Sequence, residues 1–183
     1  MVLSVRNREE TGRQERFEAL YEEHFDALLA YAFRRTERET AYDAVGEAFL
    51  TVWRRLEDVP EDALPWLYGV IRRTLANQRR SIRRRRSLVS KLTHNQPEPV
   101  SAEPKVGSSP LREALERLSG REREALLLTA WEGLDCVRAA AALGISPVAF
   151  RVRLHRAKRK LAHELGRPEA QTPAVASTAK EQP

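Results

Sequence analysis

Apolar residues recur at helical spacing along most of this 183-residue chain. Phe17, Leu20, Tyr21, Phe25, Leu28, Leu29 and Ala32 fall on one face and predict a helix over about Gln14–Arg34. A second helix is expected after Thr40, which reads as an N-cap with Asp43 three residues on. Its apolar stripe is Val45, Ala48, Phe49, Val52, Trp53 and Leu56. Asp43, Glu47, Leu50 and Arg54 fall on a different face. The segment "EDVPEDALP" then reads as an acidic loop. Pro65 suits the first position of a third helix, where its missing N–H costs nothing. That helix places Leu67, Val70, Ile71, Thr74 and Leu75 inward, with Gln78 at the edge. Trp66, Arg73, Asn77, Arg80 and Arg84 form a separate stripe.

The pattern breaks twice. Residues 87–109, "SLVSKLTHNQPEPVSAEPKVGSS", are rich in Pro, Ser, Asn and Gln and read as a flexible linker. Residues 167–183 are rich in Pro, Ala, Ser and Thr and read as a disordered tail; residues 1–14 read as a disordered N-terminus. Between the breaks lie 15–86 and 110–166, both helical. No strand pattern or internal repeat is visible. The expected class is all-α, with two small helical domains joined by the linker.

The second module has the clearest local grammar. Ser119 and Glu122 form an S-x-x-E capping box, and Gly133 ends the helix that follows. Asp135 caps a short helix, Gly144 stops it, Ser146 caps the next, and Pro147 occupies that helix's first position. Two helices joined by a short Gly-containing turn are the helix-turn-helix pattern. On the final helix, Phe150, Leu154, Ala157 and Leu161 form the packed face. Val148, Arg151, Val152, His155, Arg156 and Arg159 form the opposite one. Two valines among arginines suit a major groove better than water: Arg meets guanine or phosphate, and Val meets a thymine methyl.

Charge strengthens that reading. The net charge is +6, and of 32 basic residues five are Lys and 27 Arg. From Gly69 to Lys91 there are nine Lys or Arg and no acid. A polyanion is the expected partner, although a GC-rich genome also favours Arg over Lys. One cysteine, Cys136, excludes an internal disulfide and a Cys-based metal cluster and fits a reducing compartment. No apolar run has the length of a signal peptide or a membrane span, so a cytoplasmic protein is expected. His24, His94, His155 and His163 are scattered. No nucleophile signature, paired-carboxylate motif or Gly-rich phosphate loop appears, so no catalytic residues, metal or cofactor are expected.

Together these residues resemble a known family. "LSGREREALLLTAWEGLDCVRAAAALGISPVAFRVRLHRAKRKL" is similar to region 4, the −35-binding domain, of extracytoplasmic-function (ECF) sigma factors of the sigma-70 family. "LYEEHFDALLAYAFRR", "DAVGEAFLTVWRRL" and "PWLYGVIRRTLANQRRSIRRRR" resemble region 2. The resemblance covers roughly residues 17–165. It implies a non-enzymatic protein that binds bacterial RNA polymerase core at the β′ clamp and β flap. Such a protein directs core to promoters through −35 and −10 recognition and melts the DNA.

The roles it implies map onto named positions. Asp43, Glu47, Leu50 and Arg54 are the polymerase-binding candidates, and Gly46 stands where the family usually has Gln. Residues 57–64 match the loop that captures a flipped −10 base. Trp66 either stacks on a base or packs half-buried. Arg72, Arg73, Asn77, Arg79 and Arg80 match the helix along the upstream −10 DNA. Ser146, Val148, Arg151, Val152, His155 and Arg156 fall at the −35 end. Val148-Ala149 replaces the usual Gly-Thr, and Val152 a frequent Ser, so an altered −35 preference is expected. The free protein is expected to be a monomer that binds promoters poorly without polymerase. An anti-sigma partner is left open. The alternatives are a stand-alone helix-turn-helix regulator, an adaptor that has lost DNA binding, and, least supported, a nucleic-acid enzyme.

Overall fold

The computed structural model describes residues 2–93 and 109–166. Seven α-helices and one 3₁₀ turn occur among them: α1 (Val2–Phe33), α2 (Arg38–Arg54), the 3₁₀ turn Leu56–Asp58, α3 (Ala63–Thr93), α4 (Pro110–Glu116), α5 (Gly120–Ala130), α6 (Cys136–Leu143) and α7 (Pro147–Leu165). The first three helices pack on one another. So do α4 to α7.

Four boundaries differ from expectation. The N-terminal stretch read as disordered is helix from Val2. Six of its nine polar residues are Glu, Arg or Gln, which are good helix formers. The later part of the stretch is anchored: the Arg13 guanidinium lies 5.0 Å from the Trp53 ring centre and donates to the Trp53 carbonyl at 2.6 Å. The second helix starts at Arg38, not after Thr40; its N-cap is Glu37, with no side-chain cap bond. The third starts at Ala63, so Pro65 is its third residue. Proline is tolerated there because the first-turn N–H groups have no intrahelical partner. It runs to Thr93, through the first residues of the expected linker; a run of Arg with no Gly or Pro between residues 70 and 96 has nothing to stop it. The rest of the linker, 94–108, and the tail, 167–183, lie outside the described residues.

The core of the first module follows the apolar stripes. Leu28, Ala32, Val45, Ala48, Phe49, Val52, Leu56, Leu67, Val70, Ile71 and Leu75 are buried. Phe17, Tyr21, Phe25, Phe49 and Trp53 form an aromatic cluster joining α1 to α2, with Tyr21 and Phe49 centroids 4.7 Å apart. Each fully buried large side chain contributes roughly 1.5–3 kcal/mol.

The caps of the second module fall where the sequence puts them. Ser119 and Glu122 exchange bonds in a capping box, Ser119 N donating to Glu122 Oε2 at 2.9 Å. The hydrogen bonds from the Ser119 side chain and backbone hold the Glu122 carboxyl below its ordinary pKa. A depressed carboxyl adds stability above its unfolded pKa and loses it as pH falls through the folded value. Ser119→Ala is therefore expected to cost about 1 kcal/mol at neutral pH. Part of that difference should disappear in acid, as thermal melts at pH 7 and pH 3 will show.

The two modules are docked rather than merely tethered. One apolar cluster runs through both. Helix α3 crosses α6 so closely that a Cβ on Gly69 would lie 3.2 Å from the Ala142 carbonyl oxygen. A larger side chain there would make the Ala142 backbone give by a few tenths of an ångström.

Candidate nucleic-acid and polymerase interfaces

The helix-turn-helix is built by its caps. Asp135 Oδ1 accepts from the N–H groups of Val137 and Arg138 at 2.8 and 2.9 Å, starting α6. Gly144 stops it in the left-handed region (φ 64°, ψ 39°). The Gly144 and Ile145 N–H groups then close onto the Ala141 and Ala140 carbonyls. Ser146 Oγ accepts from Ala149 N at 3.2 Å, starting α7 one turn later. Phe150, Leu154 and Ala157 hold α7 to the core, with Leu161 half-buried.

This leaves the predicted −35 face in water. Arg151, His155 and Arg156 are exposed and make no hydrogen bond or ion pair among the described residues. Val148 and Val152 beside them are 62% and 46% exposed. These apolar side chains keep about half or more of their surface in water between unpaired cations. Ser146 is exposed too, but its hydroxyl already serves as the cap.

The predicted −10 residues on α3 divide into two sets. Arg73, Asn77 and Arg80 lie at i, i+4 and i+7 on one exposed face. Arg80 donates to Asn77 Oδ1 at 2.9 Å, which leaves the Asn77 amide N–H₂ free to donate elsewhere. Arg72 and Arg79 lie on another side, facing the second module. Arg79 donates to the Arg35 carbonyl at 2.5 Å. Arg72 is half-buried, and its Nε is buried with no partner. Trp66 is half-buried, with the Arg55 guanidinium 5.7 Å from its ring centre.

The acidic loop before α3 is pinned. Leu56, Val59 and Ala63 point inward, and Arg16 donates to the Val59 carbonyl at 2.8 Å. Its carboxylates face out, with Asp58 paired to Arg55 at 2.8 Å and Asp62 to Arg138 at 2.6 Å. The last pair joins the two modules, and Asp62 raises the Arg138 pKa by its hydrogen bond. Carboxylates repel phosphate, so this loop offers no phosphate grip.

All four polymerase candidates are exposed on α2. Asp43, Glu47, Leu50 and Arg54 face away from the buried stripe, and Leu50 is 56% exposed. Gly46 lies on that side, with nothing within 4 Å of an added Cβ. Gly46→Gln is thus expected to stabilise α2 by about 0.5–1 kcal/mol, read in chemical denaturation.

Sequence reasoning missed a buried polar cluster between the modules. Arg35 Nε and Nη2 face the Glu124 carboxylate, each at 3.2 Å, and Nη1 donates to Glu132 at 3.1 Å. The guanidinium lies 3.4 Å from the Tyr31 ring centre. Tyr31 Oη donates to Glu124 at 2.5 Å, and Arg34 pairs with Glu132. Burial, reinforced by Glu124, pushes the Tyr31 hydroxyl far above its ordinary pKa. Burial and then Glu132 push Tyr68 up to about 12. Burial works to lower the Arg35 pKa, but Tyr31 and Glu124 outweigh it and raise it. Partners some 90 residues apart give no periodic signal. The one local hint is Gly69 inside an otherwise strong helix.

Comparison with known proteins agrees with this geometry. Residues 20–86 match the Sigma-70 region 2 family, and residues 108–161 match Sigma-70, region 4. The chain is 32% identical over 150 residues to the ECF RNA polymerase sigma factor SigL of Mycobacterium tuberculosis, covering 78% of this chain and 85% of SigL. It is 30% identical over 154 residues to the RNA polymerase sigma factor YlaC of Bacillus subtilis, covering 79% and 88%. Among solved structures, the sigma factor RpoE in complex with the anti-sigma factor NepR from Bartonella quintana superposes with a TM-score of 0.59 at 25% identity, covering 81% of this chain and 96% of RpoE. CnrH in complex with the cytosolic domain of CnrY gives 0.58 at 26%, covering 85% and 90%. Both modules match in order, and relatives above 30% identity are spanned over most of their length. The chain belongs to the ECF RNA polymerase sigma factors of the sigma-70 family.

Proposed function

We propose that this sigma factor brings core polymerase to its promoters through three separate surfaces. The exposed α2 face with Asp43, Glu47, Leu50 and Arg54 docks on the polymerase clamp. Arg73, Asn77 and Arg80 on α3 lie along the −10 DNA, Asn77 offering its free amide N–H₂ to a base edge and the arginines holding phosphate. The α7 face reads the −35 element. Trp66 and residues 57–64, the loop and the first residues of α3, lie beside the Arg73, Asn77 and Arg80 face, where a strand would open. All of these steps are non-covalent; the work is binding and duplex deformation. The chain acts in the cytoplasm, where polymerase is, and is a monomer when free.

One observation carries this reading. Val148 and Val152 stand exposed between unpaired Arg151, His155 and Arg156 on a capped recognition helix. Footprinting of a responsive promoter with core polymerase tests it. Two protected patches are expected, and Arg73→Ala with Arg80→Ala should weaken only the downstream one. A single patch that forms equally well without polymerase would instead mark a stand-alone regulator. That alternative is not favoured, because one DNA reader would leave the basic face of α3 without a role.

Two further outcomes follow from the exposed positions. Val152→Ser should change base preference at one −35 position by about 1 kcal/mol, roughly fivefold, in a randomised-element selection. Leu50→Asp should weaken core binding about tenfold or more with little change in the melting curve, because Leu50 is 56% exposed on α2. RpoE is bound by an anti-sigma factor in its solved complex. We extend that class of partner to this chain.

A further inference from the structure

One arginine between the modules has no counter-ion. Arg72 is half-buried on α3, and its Nε is buried without a hydrogen-bond partner. It makes no ion pair among the described residues. Its neighbours are matched: Arg35 by Glu124 and Glu132, and Arg34 by Glu132. A guanidinium held partly out of water without an anion is costly, and an anion taken from solution offsets that cost.

Arg72 faces a cleft that has room for one. The space is about 160 Å³, lined by Arg72 with Tyr31, Arg35, Arg79, Gly120 and Glu124. Three arginines against one glutamate leave this lining with a charge of +2. Glu124 does not neutralise Arg72, because its two oxygens already accept from Tyr31 and Arg35. Arg79 is exposed and donates one N–H to the Arg35 carbonyl, which leaves its other N–H groups free. Gly120 is the first residue of the 11-residue helix α5. First-turn N–H groups have no intrahelical acceptor and carry the positive end of the helix dipole. The capping box satisfies the Glu122 N–H, not that of Gly120. The Glu122 carboxylate itself is held by Ser119 and Lys160 and does not line the cleft.

We propose that this cleft binds the phosphoryl group of a small molecule, inorganic phosphate being the simplest, on Arg72, Arg79 and the Gly120 N–H. A phosphate dianion matches the charge of the lining, and guanidinium forks match its oxygens in pairs. A helix N-terminus adds a further donor of the right sign. The arginines come from α3 and the N–H from α5, so the bound group touches both modules. The site lies on a different side of α3 from Arg73, Asn77 and Arg80 and does not depend on what they contact.

Melting of the full-length chain in inorganic phosphate tests it, with chloride balancing the ionic strength. The wild type is expected to gain about 3–6 °C once phosphate reaches ten times its dissociation constant. Arg72→Met should lose that gain. In chloride it should melt no lower than the wild type, since it removes an unmatched charge; in phosphate it should melt below it. Arg79→Ala, which truncates an exposed side chain, should weaken phosphate about tenfold. Arg73→Met, on the other side of α3, should keep the full gain. A wild-type melt that does not move with phosphate overturns the site. So does Arg72→Met melting lower by the same amount in both buffers, because the guanidinium would then be matched within the chain. Loss of the gain in Arg73→Met as well would mark general attraction to a basic helix and overturn it. Short duplex DNA that produces the crossover where phosphate does not would assign Arg72 to a backbone phosphate instead.

Discussion

Arg151→Ala combined with Arg156→Ala lowers promoter-directed transcription by roughly a hundredfold or more. Each Arg contact to a base edge or phosphate in a groove is worth about 1–3 kcal/mol, or about fivefold to over a hundredfold. Both side chains are exposed and unpaired in the free chain, so their removal breaks nothing internal. The double variant should therefore melt like the wild type and bind core normally. The loss should be confined to promoters that depend on a −35 element. Run-off assays on one promoter with its −35 element intact and scrambled separate the two cases. An equal loss on both templates would place these arginines outside −35 reading.

Phe150→Ala is expected to be the most destabilising single change in the second module. Phe150 is 0% exposed and among the largest fully buried side chains. It sits on the first turns of α7, where it fixes the recognition helix against the module's core. Phe-to-Ala changes at such sites cost about 3–5 kcal/mol, lost burial plus the cavity left behind. For a module of this size each kcal/mol lowers the melting temperature by about 4–8 °C, so a fall beyond ten degrees is expected. The neighbouring change Val148→Ala removes an exposed side chain and should stay within about 0.5 kcal/mol. Scanning calorimetry of the two variants makes the contrast. A small shift for Phe150→Ala would mean that α7 is held chiefly by its other contacts with α4, α5 and α6.

The second module was almost wholly legible in the sequence. Its boundaries depend on Ser119, Asp135, Gly144 and Ser146. Each acts on the backbone within a few residues, so local chemistry decides the outcome. The first module was legible in its faces but less so in its ends. Helix α2 begins at Arg38 without any side-chain cap, and nothing in the sequence marks that start. Helix α1 extends to Val2 because polar helix formers there read equally well as helix or coil.

The interface residues divide along the same line. Exposure of Leu50, Arg73, Asn77, Arg80, Val148 and Arg151 follows from helical phase alone. Arg72 and Arg79 share the sequence character of Arg73 and Arg80, yet they face the second module. Helical phase sets the two pairs about 100° apart, but only tertiary docking shows that one side meets the second module. The Tyr31–Arg35–Glu124–Glu132 cluster was invisible for that reason: a charged residue on a helix reads as solvated until its distant partner is known.

The most direct measurement is run-off transcription with core polymerase on a library of randomised promoters. Initiation should depend on this protein, and the transcribed templates should carry two sequence elements. The −35 element should change when Val152 is replaced by Ser. A protein that neither binds core nor supports initiation, yet selects one DNA element by itself, would contradict the account.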